Sequence, residues 1–175
     1  MARVGSNSLA LTLIALLAVA SLQANGRTAP RLKLRAIDGS TVELKALNGK
    51  VLLVDFWASW CLPCKAVFPA LNSLHEEFQA KGVEVMAINV DEKRRDADAF
   101  LARTPHTLQV MVDPKMVAAD AFRVRQIPTA FLIDRAGMIR YTHEGYAIEA
   151  LDAFRTEVAT LLAEPNLPRD QAKGS

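Results

Sequence analysis

The chain has only two cysteines in 175 residues, Cys61 and Cys64. Two thiolates cannot complete the four-ligand shell of a structural zinc, and His75, His106 and His143 show no ligand-like spacing to the pair. A disulfide-stapled miniature is not needed either, because a chain of this length buries an adequate core without staples. Charge of one sign is equally scarce. Twenty-one basic against 19 acidic residues leave +2, and the basic run Lys93-Arg94-Arg95 is flanked by acids. Neither a nucleic acid nor an anionic surface is suggested as a partner. Apolar runs of membrane length are missing too. The stretch from Leu9 to Ala20 has 12 residues, where a span needs about 20. Internal repeats and low-complexity blocks are absent, and 51% hydrophobic with 23% charged residues is ordinary for a folded domain.

The N-terminal run does have a meaning of its own. Arg3 precedes it, and small and polar residues follow as far as Ala24-Asn25-Gly26. That is the order of regions in a secretory signal peptide. Residues 1–24 are therefore expected to be a signal peptide, cleaved after Ala20 or Ala24, with an uncleaved membrane anchor as the alternative. The compartment expected is periplasmic or otherwise extracytoplasmic, where disulfides persist. Residues 25–30 read as a short leader and 31–163 as one domain. Residues 164–175, EPNLPRDQAKGS, read as a loose tail.

Within the domain, LKLRAI and TVEL flank Asp38-Gly39, a strong hairpin turn. VLLVDFW (51–57) is apolar on both faces, as a fully buried strand would be. Val67, Leu71, Leu74 and Phe78 recur at helical spacing up to Lys81-Gly82. VEVMAINV (83–90) reads as a strand, Ala97, Phe100 and Leu101 as a helix, LQVMVD (108–113) as a short strand. Pro114 to Phe122 reads as helical, TAFLID and MIRYTH as a second hairpin, and Ile148 to Leu162 as a C-terminal helix. Strand–helix–strand units pair in parallel and hairpins antiparallel. The fold class expected is α/β: a mixed central sheet with helices on both faces.

Cys61 and Cys64 fall where the buried strand gives way to a helix. One helical turn brings their sulfurs within bonding reach, and the unpaired N–H groups of the helix start favour a thiolate at Cys61. Thiolate is the attacking species in disulfide exchange, so Cys61 is the candidate nucleophile and the deeper Cys64 the resolving thiol. An inert bridge is the lesser reading, since so small a loop constrains little unfolded-state entropy. Asp55 shares a strand face with Leu53 and Trp57. Burial there would raise its pKa and fit it to carry protons near neutral pH.

DFWASWCLPCK with Pro69, and Ile127-Pro128-Thr129 later, resembles the thioredoxin-fold oxidoreductases. The signal peptide, the added N-terminal β-hairpin and a short insertion after the second central strand resemble their TlpA/ResA-like branch of extracytoplasmic thiol–disulfide proteins. The resemblance covers roughly residues 31 to 163 and implies the three-layer thioredoxin-like fold. It further implies that Asp55 exchanges protons with Cys64, and that Pro128 is a cis-proline facing the cysteines. On that reading Trp60, Ile127, Pro128 and Thr129 form the substrate-binding surface, with the Ile127 backbone offered to an extended segment by strand addition. Glu92 matches a glutamate near the active-site cavity, or is a solvent-facing acid before a helix.

The function expected is a protein-disulfide reductase, acting for example in cytochrome c maturation or copper-protein assembly. Leu62-Pro63 places no histidine between the cysteines, and such a histidine accompanies strong oxidants. A disulfide-forming oxidant and a non-catalytic copper or zinc carrier are the alternatives. A peroxidase would need a Pro-x-x-x-Thr-x-x-Cys setting, whereas Ala-Ser-Trp precedes Cys61. No cofactor or metal is expected. The partners expected are disulfide-containing protein substrates and an electron-donating membrane thiol protein, and the chain is expected to be a monomer.

Overall fold

The computed structural model describes residues 26–166, so the expected signal peptide and most of the expected tail lie outside the described residues. Short strands β1 (Arg27–Thr28), β2 (Lys33–Ala36) and β3 (Thr41–Glu43) come first, followed by a 3-10 turn at Leu44–Leu47. β4 (Val51–Trp57) leads into α1 (Leu62–Phe78), which a 3-10 turn and Gly82, at φ 90°, bring to a close. The left-handed conformation there suits a residue without a Cβ. β5 (Val83–Asn89), α2 (Arg94–Leu101), β6 (Gln109–Val112) and α3 (Val117–Phe122) follow. β7 (Thr129–Ile133), β8 (Met138–Glu144) and α4 (Leu151–Ala163) are the last of the described elements.

Among the described residues, eight strands join one mixed sheet in the order β1-β8-β7-β4-β5-β6-β2-β3. β4 pairs in parallel with β5, and β5 with β6. β7 runs antiparallel to β4, and β8 to β7. The N-terminal hairpin adds at one edge, with β2 antiparallel to β6. The thioredoxin-like α/β architecture is thus the observed one, with β4 at its centre and every residue of β4 buried.

Three details depart from the sequence reading. Arg27 and Thr28, in the stretch read as a leader, pair with Ile139 and Met138, and Arg27 donates to the Phe122 carbonyl at 2.6 Å. Two residues carry too little pattern to announce a strand. Glu164, at the head of the expected loose tail, holds Arg140 through both carboxylate oxygens at 2.7 and 2.9 Å. Its carbonyl also accepts from Arg135. Finally, α3 starts at Val117 rather than Pro114. The Asp113 carboxylate accepts from Ala118 N and Ala119 N, both at 2.9 Å, and so caps the helix later than the proline suggests.

The two faces of β4 have different covers. Phe56 packs against Phe122 of α3 and Phe131 of β7. On the opposite face Trp57 packs against Phe68 of α1 and Phe100 of α2, with ring centroids 4.9 and 5.1 Å away. Trp57 is fully buried in the core.

Candidate active site

Beyond β4 the chain turns through Ala58, Ser59 and Trp60 and enters α1 at Cys61. Cys61 is the N-cap, extended at φ −79° and ψ 109°, and its Sγ accepts a hydrogen bond from Cys64 N at 3.2 Å. Pro63 lies in the first turn, where a helix has no use for its missing N–H. The two cysteines are joined by a disulfide, their Cα atoms 5.3 Å apart. Reduction would leave the Cys64 N–H directed at Cys61 Sγ, where a thiolate accepts more strongly than a thiol. Cys61 is 4% and Cys64 1% exposed, so the deeper sulfur is the one read as resolving. Trp60 and Leu62 flank Cys61 at 68% and 77% exposure and present apolar surface beside it.

The turn ahead of Cys61 is held by residues that the sequence reading passed over. Asp91 is buried, and its carboxylate accepts from Ser59 N at 3.0 and 3.1 Å, Ser59 Oγ at 3.2 Å and Asn89 Nδ2 at 2.8 Å. Asn89 Oδ1 in turn accepts from Asp91 N. Three of these bonds tie the segment just after β5 to Ser59, ahead of Trp60 and Cys61, and the two between Asn89 and Asp91 hold that carboxylate in place. Glu92, the acid that was singled out, is exposed instead, and among the described residues it has no hydrogen-bond or ion-pair partner. INVDE contains both acids, and a local pattern does not tell which one turns inward.

Asp55 is 1% exposed, at the centre of the sheet. Its row across the strands is Ala87 on β5, Asp55, Ala130 on β7 and His143 on β8. The alanines leave the carboxylate apolar neighbours and room above it, and Tyr146 enters that room. Its hydroxyl donates to Asp55 Oδ1 at 2.7 Å. Burial pushes the Asp55 carboxyl up to about 7, and the phenol's hydrogen bond moderates the rise. Burial, helped by the carboxylate, raises the Tyr146 phenol well above its ordinary value. Nothing near Tyr146 in sequence marks it, because its partner is 91 residues away.

The Ile127–Pro128 peptide bond is cis. Phe56 pairs with Thr129, so Pro128 stands level with Trp57, at the sheet end from which Cys61 departs. Gly145 N donates to the Pro128 carbonyl at 2.8 Å. Gly145 sits at φ +62°, a conformation that favours glycine, and the Gln126 side chain stands 2.9 Å from where a Cβ would be. Ile127 is half-buried, and among the described residues its N–H and C=O make no hydrogen bond. Thr129 departs from the substrate-contact expectation. It is fully buried, and its hydroxyl donates to the Gln126 carbonyl at 2.8 Å, bracing the loop from within. Arg123 and Arg125 are exposed. Among the described residues no group of three or more His, Cys, Asp or Glu is placed to hold a metal ion.

The AhpC/TSA family model matches residues 25–142. The thiol-disulfide oxidoreductase ResA of Bacillus subtilis (strain 168) is 32% identical over 126 residues, which is 72% of this chain and 70% of that protein. ResA of Geobacillus thermodenitrificans (strain NG80-2) is 34% identical over 115 residues, 66% of each chain. A Chlorobium tepidum crystal structure with the provisional name thiol:disulfide interchange protein DsbE superposes with a TM-score of 0.76 at 38% identity. The match covers 79% of this chain and 97% of that one.

Proposed function

The chain belongs to the AhpC/TSA family, among its ResA-like thioredoxin-fold members, and from that premise we propose a thiol–disulfide oxidoreductase that reduces protein disulfides outside the cytoplasm. One observation carries most of the reading: a bonded Cys61–Cys64 pair at a helix N-terminus, just beyond the strand that holds a buried carboxyl whose pKa is raised to about 7.

In the reductive direction the Cys61 thiolate attacks one sulfur of a substrate disulfide. The Cys61–substrate bond forms, the substrate's S–S bond breaks, and the departing thiolate takes a proton from solvent. Asp55 then accepts the proton of the Cys64 thiol. The Cys64 thiolate attacks Cys61 Sγ, forms the intramolecular disulfide and expels the second substrate sulfur. Two electrons have passed to the substrate, and a membrane thiol protein restores the dithiol. Trp60 and Leu62 offer the partner an apolar surface, and the unpaired Ile127 backbone offers it a strand-like edge.

Leu62-Pro63 supports the reductive direction, and the N-terminal segment supports export. Apocytochrome c or a copper-delivery protein is the class of substrate in view. The AhpC/TSA name does not make the chain a peroxidase, since Ala-Ser-Trp before Cys61 lacks the Pro-x-x-x-Thr-x-x-Cys setting. Cys64→Ser is expected to accumulate partners as mixed disulfides through Cys61. Equal trapping by Cys61→Ser would reverse the two roles. A strongly oxidising reduction potential, with the pair found oxidised in cells, would replace the reductase reading by a disulfide-forming one.

A further inference from the structure

We propose that Tyr146 is the positioning residue of the proton-transfer step: its hydroxyl holds Asp55 Oδ1 and leaves Oδ2 as the oxygen that exchanges a proton with Cys64. The proposal rests on the reading of Asp55 as proton carrier given above.

The geometry is specific. Tyr146 follows β8 and is itself buried at 7% exposure. Its ring packs edge-on against Phe154 of α4, centroids 5.1 Å apart, so the phenol approaches Asp55 with a fixed orientation. The bond to Oδ1 is 2.7 Å, and among the described residues it is the only hydrogen bond that Asp55's carboxylate receives. Oδ2 is therefore free to accept. In the row beside Asp55, β5 presents Ala87 and β7 presents Ala130, neither of which can donate. β8 presents His143, which is engaged by Glu157 of α4 at 2.8 Å and packed edge-on against Phe154. α1 contributes Cys64 and, about three turns further on, the buried His75. Tyr146 alone addresses the carboxylate directly.

The chemistry follows from the donor's direction. A phenol held as a donor favours the ionised carboxylate, which is the form that acts as base. Because its own ionisation is pushed upward, Tyr146 remains a donor throughout the working range. The transferred proton moves from Cys64 Sγ to Asp55 Oδ2, and the Tyr146 proton stays where it is. Tyr146 also follows Gly145, whose N–H grips the Pro128 carbonyl, so the substrate loop and the proton carrier share one support.

Tyr146→Phe in the full chain tests this, since it removes the hydroxyl and keeps the ring on Phe154. Two readouts apply: the pH profile of disulfide exchange, and the carbon-13 titration of the Asp55 carboxyl. Both midpoints are expected to rise by about one pH unit. The neutral-pH rate should fall by up to about tenfold and meet that of the unaltered chain at alkaline pH. Site-specific 3-fluorotyrosine at 146, a stronger donor, should move both midpoints down, and a purely structural role would not reverse sign. Midpoints that stay put in both variants overturn the proposal. Asp55→Asn separates the two failures. If it leaves the pH profile intact, Asp55 is not the proton carrier. If it removes the pH dependence while Tyr146→Phe changes nothing, only the role of Tyr146 falls.

Discussion

On one face of β4, Phe56 meets Phe122 and Phe131 with ring centroids 5.3 and 6.0 Å away, and Phe122 and Phe131 close the triangle at 5.0 Å. On the other, one residue earlier, Asp55 lies between two alanines and touches a phenol. Both positions are sealed from solvent to the same degree. The first buries area and gains from it. The second buries a charge-bearing group at a cost, and the same desolvation raises its pKa to about 7. Equal burial therefore says nothing about the sign of a residue's contribution to stability.

Phe56→Ala should produce the largest effect, a loss of about 3–5 kcal/mol in urea denaturation, because the aromatic triangle cannot close over the void. A loss below about 1 kcal/mol would mean that this face is not the packed one. Asp55→Asn should act in the opposite direction. The carboxyl titrates at about 7 when folded and near 3.8 when free. Its raised folded value stabilises the fold below pH 4, and that contribution is lost as pH rises through 7. The Asn variant should accordingly gain on the wild type between pH 4 and 7, reaching on the order of 4 kcal/mol, with no further change above. It retains an acceptor for Tyr146, so it should fold while exchanging disulfides slowly near neutral pH. A gap that does not grow with pH would show that Asp55 is not desolvated. Least of all should come from Lys33→Ala, which breaks the exposed pair with Glu43 at the sheet edge. Its thermal midpoint should not move, and a clear drop would show that the edge hairpin carries more of the stability than its exposure implies.

Much of this arrangement is legible before folding. VLLVDFW announces a strand buried on both sides because no position in it is given to solvent, and Asp55 stands out only against that background. Cys61 and Cys64 are readable because strand end, proline and helix start are local signals. The cis Ile127–Pro128 bond was readable by resemblance rather than by residue chemistry. Glu92 shows where such reading stops. It and Asp91 are adjacent acids of the same kind, and only the packing of β5 against the turn at Ser59 decides that Asp91 is the buried one.

By itself the sequence determined the order of elements after β1, the buried central strand, the dithiol at a helix start and the isolated carboxylate, since each depends on periodicity or on neighbours within a few residues. The tertiary structure alone decided what meets that carboxylate and what braces the dithiol. Tyr146 reaches Asp55 across 91 residues, Asp91 reaches Ser59 across 32, and Arg27 joins β8 across more than a hundred. Hydrogen bonds at such separation have no period along the chain; they exist because the sheet sets Ala87 and Ala130 beside Asp55 and leaves a phenol-sized space there.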